Sequence, residues 1–96
     1  PPPVVHSAEV VEDLLLAAKK TIGEKNVEWY PTPSSGSEDF SYYLEHCPGA
    51  TFRLGTGIPG QEQTLLGNHN PRIIYDDRCI VTGAPVICQY VIDYLK

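Results

Sequence analysis

Residues 66–71 read "LGNHNP", which sets one histidine between two asparagines and just ahead of a proline, inside a glycine-rich run from 57 to 71. His69 lacks the apolar neighbours at period 2 or 3.6 that would bury a histidine on a strand or helix. Its loop should therefore present the imidazole outward or toward a cleft. A neutral ring there offers one lone pair to a metal while the other nitrogen is steadied by an acceptor. Position alone favours a solvated loop histidine over a ligand. A second group is Ser37-Glu38-Asp39, in which two acids sit where the first turn of a helix favours negative charge. Cys47, Cys79 and Cys88 are odd in number and lack any C-x₂₋₄-C spacing, which argues against a disulfide framework or a self-contained zinc knot. They read as buried small hydrophobes, free thiols of a reducing, cytoplasmic compartment. His6 and His46 complete the histidines, and no ligand set closes within this chain.

These groups need elements to hold them. Ser7 can cap a helix whose apolar positions Val10, Val11, Leu14, Leu15, Ala18 and Ile22 recur at helical spacing, with Gly23 as its left-handed stop. "NVEWY", residues 26–30, has the β-branched and aromatic content of a short strand, closed by the breaker cluster "PTPSSG". Ser37 can cap a second, shorter helix through "EDFSYYLEHC", ended by Pro48-Gly49. "ATFRLGTG", residues 50–57, alternates Phe52 and Leu54 with polar residues and reads as a strand running into the loop that carries His69. Phe40, Tyr42, Tyr43 and Phe52 are expected as core packing, as are Trp29 and Tyr30.

The last segment spaces Ile80, Val81, Ala84, Ile87, Cys88, Val91, Ile92 and Leu95 as on a helix, and Pro85 allows two readings. Either Asp76 or Asp77 caps a helix kinked at Pro85, or the main helix starts near Thr82 with Pro85 in its first turn. The second is favoured, with an extra turn before it. The order of elements is helix, strand, short helix, strand, long loop, helix, which is an α/β class.

At 96 residues there is room for one domain, and 42% hydrophobic with 20% charged residues is the composition of an ordinary globular protein. The net charge of −5 and the scattered lysines and arginines leave no basic patch for a phosphate backbone, so no nucleic acid is expected. No apolar run approaches the roughly 20 residues of a membrane span. "PPPVV" lacks the basic and apolar regions of a signal peptide and reads as the end of a linker.

Taken together, "GSEDFSYYLEHCPGATFRLGTG", "NHNPR", "YDD" and the terminal helix resemble the M20-type metallopeptidases, in particular their amidohydrolase branch of hippurate hydrolases, N-acyl amino acid deacylases and auxin-conjugate hydrolases. The resemblance runs over nearly the whole chain, and Gly-Ser-Glu-Asp-Phe with "YYLEHCPGA" behind it is its most specific part. It implies the C-terminal part of a catalytic domain with a helix-sheet-helix architecture. Residues 1–6 would then re-enter from a lid domain and residues 7–96 would complete the catalytic domain. In that branch a cysteine, three histidines and a glutamate hold two divalent metals, zinc, manganese or cobalt, and the last histidine lies in a His-x-Pro loop that His69 matches. The remaining ligands and the general base would come from the remainder of the enzyme chain, so this chain would not bind the metals fully. The family's "GSEDF" loop faces the substrate cleft, which makes Ser37 and Glu38 candidates for contacts to an N-acyl amino acid or peptide-like substrate. Ser35 stands where methionine is common, and "RIIYDD" replaces a phenylalanine-rich stretch; both departures bear on substrate preference.

The resemblance thus implies a segment of a metal-dependent amidohydrolase that is inactive alone and open to homo-oligomer formation. A different reading is a stand-alone α/β binding or interaction module without catalysis.

Overall fold

The computed structural model describes residues 2–28, 38–67 and 69–96. Ser7 is the N-cap of α1 (Ala8–Ile22), and its side chain accepts from the Val10 amide at 3.4 Å. That bond satisfies one of the amides a helix's first turn leaves without an internal partner. At the far end Gly23 takes φ 86° and ψ 147°, a conformation that a side chain strongly disfavours, and the chain passes into a short 3₁₀ turn over Glu24–Asn26.

Helix α2 (Phe40–Leu44) is shorter than the 38–47 run suggests. The expected cap, Ser37, lies outside the described residues, as do Trp29 and Tyr30. Asp39 is the N-cap and its side chain makes no cap bond; one residue earlier, Glu38 Oε1 accepts from the Phe40 amide at 3.3 Å. The amides of His46 and Cys47 both donate to the Tyr43 carbonyl, which ends the helix before Pro48.

Helix α3 (Cys79–Tyr94) is one continuous helix with Pro85 inside it, which replaces the expectation that the main helix starts near Thr82. The reason lies just upstream. The Asp76 carbonyl accepts from the Cys79 amide at 3.0 Å and its Oδ1 from the Arg78 amide at 3.1 Å, so an aspartate organises the first turn well before the proline. Pro85 removes only one intrahelical donor.

Helices α1 and α3 pack together. Ala17 (0% exposed) and Val86 (4%) are the buried hydrophobic residues of the described chain. Lys20 Nζ meets Asp93 Oδ2 at 2.9 Å across this pair, and Gln89 Nε2 donates to Asp93 Oδ1 at 2.9 Å. The Ser7 amide donates to the Gly49 carbonyl at 2.9 Å, and His6 Nε2 lies 2.9 Å from Thr51 Oγ1, so the start of α1 is tied to the chain leaving α2. Further on, a Cβ on Gly83 would stand 2.8 Å from Leu54 Cδ2, and the glycine is what lets residue 54 lie directly on α3.

The α/β class is overturned, because the described residues contain helices and 3₁₀ turns and no strand. Of the first expected strand, residues 26–28 are irregular or 3₁₀ and residues 29–30 fall outside the description; the second, 50–57, is irregular throughout. The physical cause is that a helix closes its hydrogen bonds within itself, whereas a strand closes them only on a neighbouring strand. Alternating residues at 50–57 supply the pattern of a strand without a ladder. Single bonds stand in its place, such as Asp76 amide to Thr56 carbonyl at 3.2 Å.

The expected core also needs correction. Tyr42, Tyr43 and Phe52 are exposed, although Phe40 and Tyr43 keep ring contact at 5.8 Å between centroids. Cys47 and Cys88 are exposed and Cys79 half-buried, so the thiols are not core hydrophobes here. On α3 the apolar positions Ile80, Val81, Ala84, Ile87, Cys88, Val91, Ile92 and Leu95 all face outward, while residues 79, 83, 86, 90 and 93 form the covered side. The helical spacing correctly marks an apolar face, and nothing among the described residues covers it.

Candidate functional site

The site is built from the stretch between residues 56 and 78. Gly60, at φ 85°, turns the chain into a 3₁₀ turn over Glu62–Thr64. The buried Thr64 (5% exposed) closes this loop with its hydroxyl, accepting from the Ile58 amide at 2.7 Å and lying 2.7 Å from the Gln61 carbonyl to which it donates. Gly57 packs against the same point, since a Cβ there would stand 3.2 Å from the Thr64 carbonyl oxygen. An open depression of about 470 Å³ lies alongside, lined by Gly60, Gln61, Glu62, Gln63, Thr64 and Ile74.

His69 projects from the turn that follows. The base of that turn is closed by the Ile74 amide donating to the Gln63 carbonyl at 2.9 Å, with a longer bond from Gln63 Nε2 to the Arg72 carbonyl at 3.4 Å. Within it, the Asn70 amide donates to the Gly67 carbonyl at 3.0 Å, and Asn70 Oδ1 accepts from the Arg72 amide at 2.9 Å. His69 itself is exposed, and its ring makes no hydrogen bond to any described residue. This is the open loop position expected of it.

After the turn, Asp76 and Arg78 form a two-pronged pair, Nε to Oδ1 at 2.9 Å and Nη2 to Oδ2 at 3.0 Å. The hydrogen bonds from Arg78, first through its side chain and then its amide, hold the Asp76 carboxyl below the usual aspartate range; the same pair raises the Arg78 guanidinium. The pair locks the exit of the His69 turn to the start of α3.

Glu38 is exposed and lies two residues before α2, where its carboxylate accepts from the Phe40 amide; Ser37 lies outside the described residues. Among the described residues, no three His, Cys, Asp or Glu side chains stand close enough to hold a metal ion. Against a divalent ion, the exposed ring of His69, which makes no hydrogen bond to a described residue, fits one donor of a larger set. Gln63, which closes the base of this turn, and Thr64, which closes the 58–64 loop before it, carry no signal in the sequence, because a lone threonine in a glycine-rich loop looks like any other turn residue.

The profile of the peptidase family M20/M25/M40 matches residues 1–93. This chain belongs to that family. Among its relatives, a Synechocystis protein named as a hydrolase is 44% identical over 82 residues, 85% of this chain and 21% of that protein. A Bacillus subtilis protein named as an amidohydrolase is 31% identical over 97% of this chain and 23% of its own length. The hippurate hydrolase of Campylobacter jejuni is 26% identical over 99% of the chain and 23% of its own length. These names place the M20 segment in the amidohydrolase branch, and the chain spans less than a quarter of the length of each of these curated relatives. No solved structure matches. No helix among the described residues is long and apolar enough to cross a membrane.

Proposed function

We propose that this M20 chain forms the C-terminal part of the catalytic domain of a metal-dependent amidohydrolase that cleaves N-acyl amino acids or related amide conjugates. Residues 1–6 re-enter from a lid domain and residues 7–96 complete the catalytic domain. The observation that carries the reading is His69, an exposed imidazole with no hydrogen bond to any described residue, on a turn tied at its base and lying within the stretch matched by the family. The hippurate hydrolase among the relatives acts on an N-acyl amino acid by its name, which supports the substrate class.

In this reading His69 contributes one nitrogen to a site of two divalent ions, zinc, manganese or cobalt, whose other ligands come from the remainder of the enzyme chain. When bound, such ions supply Lewis acidity toward an amide carbonyl. The chain's own work is to hold the imidazole at a set position and orientation, through the closed base of its turn and the Asp76–Arg78 pair behind it. Ser37 and Glu38 border the substrate. Because the general base and the remaining ligands are not supplied here, the 96-residue chain alone turns over no substrate.

The test replaces the matching segment of the Synechocystis relative with this chain and assays N-acyl amino acid hydrolysis with added zinc, manganese or cobalt. The chimera should be active, and His69→Ala should reduce its rate by at least about a hundredfold, the scale expected when a ligand-shell group is lost. Equal activity with and without the His69 imidazole would sink the assignment.

A further inference from the structure

We infer that Thr64 is a positioning residue for His69, acting through the loop that anchors the histidine's turn. The inference rests on the metal-ligand reading of His69 for its purpose, and on the geometry alone for its content. Among the described residues, Thr64 is one of two buried polar side chains, beside two buried hydrophobic residues. Its hydroxyl uses both of its capacities: the Ile58 amide donates to it at 2.7 Å, and it donates to the Gln61 carbonyl at 2.7 Å. One side chain therefore draws together residues 58, 61 and 64. Backbone bonds reinforce the closure, from the Gln61 amide to the Ile58 carbonyl and from the Thr64 amide to the Gln61 carbonyl, each at 3.0 Å.

The neighbour of Thr64 carries the histidine's turn. Gln63 accepts from the Ile74 amide at 2.9 Å and donates through its side chain to the Arg72 carbonyl at 3.4 Å, so two ties across the base of the turn run to this one residue. Gln63 can serve as an anchor only if the 58–64 loop is itself fixed. The loop has no strand ladder to fix it, and its flanking side chain Leu65 is exposed. Beside the two backbone bonds, the Thr64 hydroxyl is the side-chain tie that joins residues 58, 61 and 64. Without it the Ile58 amide would lack its acceptor in a partly buried place, a loss that buried donors do not absorb cheaply. A ligand must be held to a fraction of an ångström to be useful, so a loose anchor at residue 63 becomes a misplaced imidazole at residue 69.

Amide hydrogen exchange and ¹⁵N relaxation on this chain, with no metal present, test the idea. Thr64→Val keeps the shape and removes the hydroxyl; Thr64→Ser restores it. With valine, exchange at the Ile74 and Asn70 amides should speed up on the order of tenfold and the His69 amide should lose order, while the amides of α1 keep their protection. Serine should return all three toward the native values. Unchanged exchange at Ile74 in Thr64→Val would overturn the proposal, and so would an equal loosening of α1. Should the valine variant not fold, the native chain still decides: in mild denaturant Ile58 and Ile74 should exchange as one cooperative unit, and independent opening would refute the coupling. Because no metal or turnover enters, failure here leaves the ligand role of His69 standing, and failure of that role leaves this coupling intact.

Discussion

Two side chains show how local charge acts in this molecule. Asp93 receives hydrogen bonds from Lys20 and from Gln89, and these hold its carboxyl below the ordinary value of 3.8. A carboxylate with a lowered native pKa stabilises the fold at pH above its unfolded value, and that contribution disappears as the pH falls through the native value. Asp93→Asn should therefore lower the thermal midpoint near pH 7 by a small amount, since exposed pairs are screened. The gap to the native chain should narrow as the pH falls below the ordinary aspartate range; a gap that stays constant with pH would mean the pair does not couple α1 to α3. His69 is the opposite case. It makes no hydrogen bond to a described residue, so His69→Ala should change the unfolding free energy by less than about 0.5 kcal/mol in a denaturant titration.

Elements are governed here by their ends and by close approaches. Among the described residues, Ser7 supplies the side-chain acceptor for α1's first turn, so Ser7→Ala should cost about 0.5–1 kcal/mol, the lower range for a cap because the bond is 3.4 Å long. Urea melts would measure it. Gly83 is a different kind of control point, because residue 54 rests on the space its missing side chain leaves. Gly83→Val should push Leu54 off α3 and increase exchange across residues 52–56, while α3 itself persists. Protection unchanged in that stretch would show that it is held elsewhere.

The elements were legible in the sequence in proportion to how local their causes are. Ser7, the apolar period and Gly23 delimit α1, and all three act within a few residues of one another. The competing readings of α3 were settled by Asp76, whose carbonyl and carboxylate both meet the coming helix. The strand pattern at 50–57 failed because its fulfilment depends on a second segment, which no local pattern supplies.

At the scale of the molecule, the apolar side of α3 dominates. Ile80, Ile87, Val91, Ile92 and Leu95 are each at least 45% exposed, and Tyr42, Tyr43 and Phe52 are exposed elsewhere. Contiguous apolar surface of this kind drives association. The isolated chain should therefore self-associate or unfold with a low midpoint, and Ile87→Glu with Val91→Glu should shift sedimentation toward monomer. A native chain that stays monomeric at high concentration with a steep, high-temperature melt would favour an independent module.

Residue types and their order were enough to identify the two long helices, the exposed histidine on a turn and the family, because capping, helical period and motif order are properties of neighbours along the chain. Only the tertiary structure decided which face of α3 this chain covers, that 50–57 has no ladder among the described residues, and that Gln63 ties the base of the His69 turn. Those depend on which distant groups meet: a hydrophobic period says that a face wants a partner and an alternating stretch that it wants a neighbour, but a partner's presence is a fact of three dimensions.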